Sequence, residues 1–336
     1  MSERAADRPP GVPEIDASDA AEGRAGVPRV EEAVTLIGRY VDEGMFRAAV
    51  EECYQLIERA PYFLPGHLLL GKILRRQERL QEASEKLKRV ASTYESRGEM
   101  EEAVDAYRRV LEATPLDLSA QRRLVELLAA AEDVEGALEQ LLVLGDSHCQ
   151  LADPEAALRA YAEALELAES SWDPNGWKIR VQRLIGDLGF HLLDRSMAMS
   201  AYQEILRLDP DDARSRMRLV EMCLADGKPH LAFTWLDEMM DRTADEGPRD
   251  QAIGFLRGMV RANPELPELR VRLAQLYGQA GHWRRAVAQL EWAGKLFWQA
   301  GREDEAKEAL QRILRANPEK ASEYRKRLGL AERPRS

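Results

Sequence analysis

The sequence reads as an all-α solenoid of stacked helix–turn–helix repeats on three grounds. Ten alanines, Ala49, Ala83, Ala103, Ala137, Ala157, Ala198, Ala232, Ala252, Ala286 and Ala306, are spaced 34, 20, 34, 20, 41, 34, 20, 34 and 20 residues apart. Four residues after each comes Cys53, Leu87, Tyr107, Leu141, Tyr161, Tyr202, Leu236, Leu256, Leu290 or Leu310, and seven after it another apolar residue, from Leu56 and Val90 to Ala293 and Ile313. Steps of four and three place each trio on one stripe of a helix. Third, each of the first five alanines recurs 149 residues later, so the chain reads as two copies of one array. A small, a large and an apolar residue recurring at a fixed period is the pattern of stacked helical hairpins.

Several residues sharpen the comparison. Ala198, Tyr202, Ile205 and Pro210 form one set, and Ala103, Tyr107, Val110 and Pro115 another. Gly44, Gly98, Gly227, Gly247, Gly281 and Gly301 lie five residues before an alanine, where a first helix is expected to stop and turn. Leu70-Gly71 with Leu74, and Leu273-Ala274 with Tyr277, repeat in the helix before. Over about residues 30–318 this pattern resembles the tetratricopeptide repeat, and the resemblance implies a right-handed α-solenoid. Two features depart from that family: the tryptophan expected early in the first helix is absent, and the spacing of 20 residues recurs. A spacing of 20 makes one helix serve both patterns, so helices over 83–97, 137–151, 232–246 and 286–300 are expected to be shared within three-helix units.

Taken in order, residues 1–28 hold Pro9, Pro10, Pro13 and Pro28 with no apolar run, and are expected to be a disordered tail rather than a signal peptide or anchor. Residues 29–170 form the first array. The joint, 171–177, is expected to be ordered: Asp173 reads as an N-cap, Pro174 as the first helical residue, and Trp172 and Trp177 as a hydrophobic staple. The second array spans 178–318. Residues 319–336 read as a charged capping helix and tail, started by Asn317.

Composition narrows the function. The chain has 336 residues, a net charge of −11 and a pI near 5.2, which opposes phosphate binding and disfavours a nucleic-acid-binding helical repeat. No apolar stretch approaches the ~18 residues of a membrane span. Cys53, Cys149 and Cys223 lie too far apart to suggest a disulfide framework. The five histidines, His67, His148, His191, His230 and His282, show no metal spacing, and there is no phosphate-cradling glycine loop. The expectation is a non-enzymatic protein without metal or cofactor, in a bacterial cytoplasm, binding a protein or peptide. A sensor or regulatory arm of a signalling or assembly complex is the alternative.

First helices carry basic clusters, among them Lys72 with Arg75 and Arg76, Arg122 with Arg123, and Arg214 with Arg216 and Arg218. In the family that this chain resembles, first helices line a concave groove. Carried over, the inward positions include Lys72, Arg75, Arg122, Arg180, Arg183, Arg214, Met217 and Glu221, which would suit an acidic peptide. Solvated i,i+4 pairs, Asp212–Arg216 and Glu268–Arg272, account for the same arginines without a ligand. The resemblance also argues against a chaperone-tail carboxylate clamp, since the only asparagines, Asn175, Asn263 and Asn317, fall at helix starts or loops. Of six tryptophans, all between 172 and 298, most are expected in the core, with Trp292 and Trp298 as exposed contacts.

Overall fold

The computed structural model describes residues 27–242 and 245–316, and they form sixteen α-helices with no strand. The expected tail, the Asn317 cap and the terminal helix lie outside the described residues. The chain divides into two compact units, one running through Val181 and one starting at Gln182. The first contains α1 (Val27–Asp42), α2 (Phe46–Arg59), α3 (Leu64–Arg76), α4 (Leu80–Ser96), α5 (Met100–Ala113), α6 (Leu118–Ala130), α7 (Val134–Gln150) and α8 (Pro154–Ala168). The boundary falls inside α9 (Pro174–His191). The second continues with α10 (Arg195–Leu208), α11 (Ala213–Ala225), α12 (Pro229–Asp241), α13 (Glu246–Ala262), α14 (Pro267–Gln279), α15 (Trp283–Gln299) and α16 (Glu303–Ala316).

The alanine register holds throughout. All ten alanines are buried, as are all ten residues four positions on, and only Met259 among those seven on is merely half-buried. At six of these ten sites the residue sixteen positions earlier is glycine or alanine. Gly71 faces Leu87, Gly145 faces the ring of Tyr161, and Gly186 faces the ring of Tyr202. A Cβ on Gly186 would stand 2.9 Å from the Tyr202 ring, inside van der Waals contact. Gly145 belongs to α7 and Gly186 to α9, yet they do the same work. Toward α8, then, α7 behaves as a first helix, while through Ala137 and Leu141 it behaves as a second helix toward α6.

Two kinds of turn join the helices. Within a hairpin the turn residue adopts a left-handed conformation: Gly44, Gly98, Gly227, Gly281 and Gly301, but also Glu78, Glu132, Ala152 and Leu193, all with φ between 58° and 77°. In eight of these nine turns the next backbone N–H reaches back five residues, as from Met45 to the Tyr40 carbonyl (2.8 Å) and from Arg302 to the Phe297 carbonyl (2.8 Å), closing a Schellman turn. Between hairpins the chain passes through a proline turn instead. In three of these turns the side chain six residues after the proline donates to its carbonyl: His67 Nε2 to Pro61 (2.9 Å), Gln121 Nε2 to Pro115 (2.7 Å), and Arg216 to Pro210. Two Schellman turns in succession join α3–α4–α5, α6–α7–α8 and α14–α15–α16, which are the expected three-helix units. Their shared helices, α4, α7 and α15, each run 17 residues.

The fourth shared helix does not form. A helix was expected over 232–246 with a turn at Gly247, but α12 ends at Asp241 and Gly247 lies inside α13. Pro248 supplies the reason. It follows Gly247 where every other hairpin turn has a backbone N–H to donate, and a proline has none. Without that bond the turn moves upstream, Pro248 is taken into the first turn of α13, where it is tolerated, and α12 and α13 touch only lightly.

The joint begins α9 as expected, with Asp173 Oδ1 accepting from the Gly176 N–H at 3.0 Å. The staple is absent, because Trp172 is 82 % exposed while Trp177 is buried. Capping fixes the start of α9 without the Trp172 ring.

Four non-glycine residues in left-handed turns each carry a steric cost of about 1 kcal/mol. Leu193 is the clearest, being 81 % exposed with nothing to gain from its side chain. Leu193→Gly is expected to stabilise the protein by about 0.5–1 kcal/mol, the higher backbone entropy of unfolded glycine offsetting part of the relief. Chemical denaturation checks this, and an unchanged or lower midpoint would count against the strain.

His67 is held below its ordinary pKa of 6.5, chiefly by burial and also by Lys86, against the opposing bond to Pro61. A lowered folded pKa means that its contribution is complete above 6.5 and is lost as pH falls through the folded value. Stability should therefore decline below pH ~6.5, and His67→Gln, which keeps a donor in place, should flatten that part of the pH–stability profile.

Candidate partner-binding surface

Where the second-helix residue is a tyrosine, its hydroxyl emerges beside a carboxylate on the preceding helix. Tyr202 donates to Asp187 Oδ1 at 2.6 Å and Tyr161 to Asp146 Oδ1 at 2.7 Å. Burial and then the neighbouring carboxylate push both phenols well above their usual range, so both remain hydrogen donors. Asp187 uses its other oxygen for Arg214, at 2.9 Å. The neighbouring Arg183 bonds Asp212 at 2.6 Å, and Asp212 also caps α11 through the Ser215 N–H at 2.7 Å. Arg218 pairs with Glu221 at 3.0 Å and lies over the Phe190 ring. On α9 and α11, three arginines thus meet three carboxylates.

The same device recurs between alternate helices. Arg75 of α3 pairs with Glu112 of α5, Lys88 of α4 with the α6 cap Asp117, and Arg122 of α6 with Glu163 of α8 at 2.6 Å. Arg272 of α14 reaches Asp237 of α12 through two bonds of 2.7 and 2.6 Å. Asp117 would be raised by burial alone, but bonds from Lys88, Ser119 and the Ala120 N–H hold it below the usual carboxylate value. The i,i+4 pairs expected for Arg216 and Arg272 are not what forms. Arg272 goes to Asp237, while Arg216 is only 3 % exposed, bonds the Pro210 carbonyl and stays 4.0 Å from Glu238. Its guanidinium pKa is lowered, mainly by burial. Arg272 reaches a helix 35 residues away, and Arg216 turns back to the loop that starts its own helix, neither of which i,i+4 spacing reveals.

The predicted groove residues therefore separate. Arg75, Arg122, Arg183, Arg214 and Arg218 are engaged with carboxylates of this chain, and a carboxylate ligand would have to displace them. Met217 is half-buried against the core of the second unit. Lys72 makes no ion pair among the described residues, and Arg180 is exposed with its guanidinium 4.3 Å from the Trp177 ring.

Trp292 (55 %) and Trp298 (62 %) stand exposed, as expected, but Trp172 and Trp283, expected in the core, are exposed as well, so three exposed tryptophans lie on α15. Ala286, Leu290, Ala293 and Phe297 occupy the inward stripe of α15, so its tryptophans fall off that stripe. Trp292 and Trp298, six residues apart, point about 120° from each other around the helix.

Among the described residues no three His, Cys, Asp or Glu side chains gather to hold a metal ion, and no helix is long and apolar enough to cross a membrane. The three cysteines are free thiols, and burial, with Glu52 nearby, pushes Cys53 up to about 12.

Helical hairpins closed by small-residue seams and joined by proline turns define an α-solenoid repeat protein. Family models described as tetratricopeptide repeat match residues 87–138, from α4 into α7, and 293–333. Those two stretches thus match the tetratricopeptide repeat, in a divergent form. No curated protein matches the sequence. Among solved structures, the apo form of the quorum sensor NprR from B. thuringiensis is similar at 15% identity and a TM-score of 0.39, over 85% of this chain and 86% of that one. The TPR2AB-domain:pHSP90 complex of yeast Sti1 is similar at 16% identity and a TM-score of 0.35, over 87% and 100%. At such levels neither carries a role to this chain.

The Tyr202–Asp187 bond joins a buried phenol to a charged acceptor, whereas Arg214 is half exposed. Tyr202→Phe is expected to cost about 1.5–2 kcal/mol and Arg214→Ala less than about 1 kcal/mol. Urea unfolding of the two variants decides the order, and a larger loss from Arg214→Ala would contradict it.

Proposed function

We propose that this protein is a non-catalytic scaffold whose repeats present a surface to a protein or peptide partner. The observation that carries this reading is the set of four exposed tryptophans on a repeat framework whose seams are complete without them. A large aromatic side chain left in water is costly unless something covers it, and tryptophan is the residue most enriched at binding hot spots. Lys72 and Arg180, which have no carboxylate partner among the described residues, are the groove positions available to a ligand as they stand. Three unbonded thiols suit a reducing compartment, and we place the protein in a bacterial cytoplasm.

The test is affinity capture by the full chain against that by a variant carrying Trp172→Ala, Trp283→Ala, Trp292→Ala and Trp298→Ala, with circular dichroism establishing that the variant is folded. Defined proteins retained by the wild type and lost by the variant are expected. Capture no greater than that of a bead control would overturn the scaffold reading.

A further inference from the structure

We infer that the outward face of α15 is a docking site for an acidic segment of a partner protein, one that carries apolar side chains between its carboxylates. This rests on the scaffold reading and names its surface and its chemistry.

Three cations of this face rest on aromatic rings rather than on carboxylates, as Arg180 does over Trp177. Elsewhere, arginines on α3, α6, α9, α11 and α14 are tied to carboxylates of neighbouring helices. On α15, Arg284, Arg285 and Lys295 are exposed and form no ion pair among the described residues. They lie over aromatic rings instead: Arg284 at 5.3 Å from Trp283, Arg285 at 5.8 Å from Tyr277, and Lys295 at 5.0 Å from Trp292. Glu291 is the only acidic residue of α15, so the helix carries three cations against one carboxylate in a chain of net charge −11.

Helical geometry puts these groups on one surface. At 3.6 residues per turn, Arg284 and Lys295 lie within about 20° of each other around the axis, with Trp298 about 60° to one side of Lys295 and Trp292 about 60° to the other. Trp298, Lys295 and Trp292 thus make a strip in which two indoles flank Arg284 and Lys295, with Glu291 about 40° from Lys295 as its one carboxylate, opposite the buried Leu290 and Phe297. From α14, Arg270 brings its guanidinium 5.7 Å from the Trp292 ring and donates to Gln289 at 3.2 Å, while its buried Nε has no hydrogen-bond partner.

Charge complementarity selects the occupant. Guanidinium groups engage carboxylates through paired bonds, and indoles flanking the strip suit apolar side chains set between acidic residues. A lipid surface fits less well, because an interfacial helix immerses a continuous apolar face and the apolar face of α15 is turned into the core. Nucleic acid fits less well again, because affinity for phosphates scales with the number neutralised and this chain is acidic overall.

The experiment follows fluorescence anisotropy of a fluorescein-labelled peptide of about twelve residues, in which Glu and Asp alternate with Leu, added to the full chain. Saturable binding is expected, weakened about tenfold or more by Trp292→Ala with Trp298→Ala and by Arg284→Glu with Lys295→Glu. Arg257→Glu, an exposed cation on α13, should leave it unchanged, and thermal unfolding of each variant checks its fold. No peptide binding, or binding indifferent to the α15 substitutions, overturns the inference. So does binding through α15 of anionic phosphatidylserine vesicles or a single-stranded oligonucleotide in preference to the peptide. Any of these results alongside intact capture of protein partners removes the α15 site and leaves the scaffold reading standing, whereas loss of all capture removes both.

Discussion

The spacing at which consecutive helices cross governs both units. Where Ala157 and Tyr161 of α8 meet Gly145 of α7, and where Ala198 and Tyr202 of α10 meet Gly186 of α9, one side of the seam is reduced to almost nothing so that the other can hold a tyrosine. Protein interiors are packed as densely as organic crystals, so such a site tolerates little change in volume. The tyrosine then does two jobs. Its ring fills the seam, and its hydroxyl reaches a carboxylate at the edge, which in α9 is also held by Arg214. Packing in the seam and ion pairing outside it are therefore coupled through one side chain.

Turn chemistry decides how those seams are strung together. A Schellman turn needs a left-handed residue followed by a backbone N–H, and nine loops supply both. The sequence meets the first requirement with glycine in five of them and accepts strain in four. At Gly247-Pro248 it cannot meet the second, and the hairpin that the alanine spacing called for does not close. One missing hydrogen thus separates the second array from the first. Three of the proline turns carry their own tie, a side-chain donor six residues on, which is His67, Gln121 or Arg216. Once seen, that pairing can be read in the sequence, but the three donors differ so much in chemistry that their kinship shows only through the shared carbonyl partner.

Cations on the helix surfaces are used in two ways. Ion pairs between alternate helices, such as Arg122–Glu163 and Arg272–Asp237, occupy most of the basic positions that a groove would need. Exposed pairs of this sort contribute little each to stability, but they spend the arginines on internal partners. On α15 the cations rest on aromatic rings and keep their hydrogen-bond donors free. An arginine over a ring still has its guanidinium edge to offer, which an arginine locked to a carboxylate does not.

Local spacing alone settled a great deal: the all-α class, the ten seams, the shared helices α4, α7 and α15, and the Asp173 cap. Each depends on residues within a turn or two of each other, or on a period that repeats often enough to be read. Partnerships across helices were decided by the tertiary structure. Arg272 looks like a member of an i,i+4 pair until a neighbouring helix brings Asp237 within reach, and Arg216 is buried so that its guanidinium takes the Pro210 carbonyl of the preceding turn instead. Trp172 and Trp177 have the spacing of a staple, yet only Trp177 is buried. A charge or an indole on a helix surface has several partners available at similar energy, and the choice belongs to whichever helix packs beside it. A small residue in a crowded seam has no such choice, which is why the seams were legible and the surface was not.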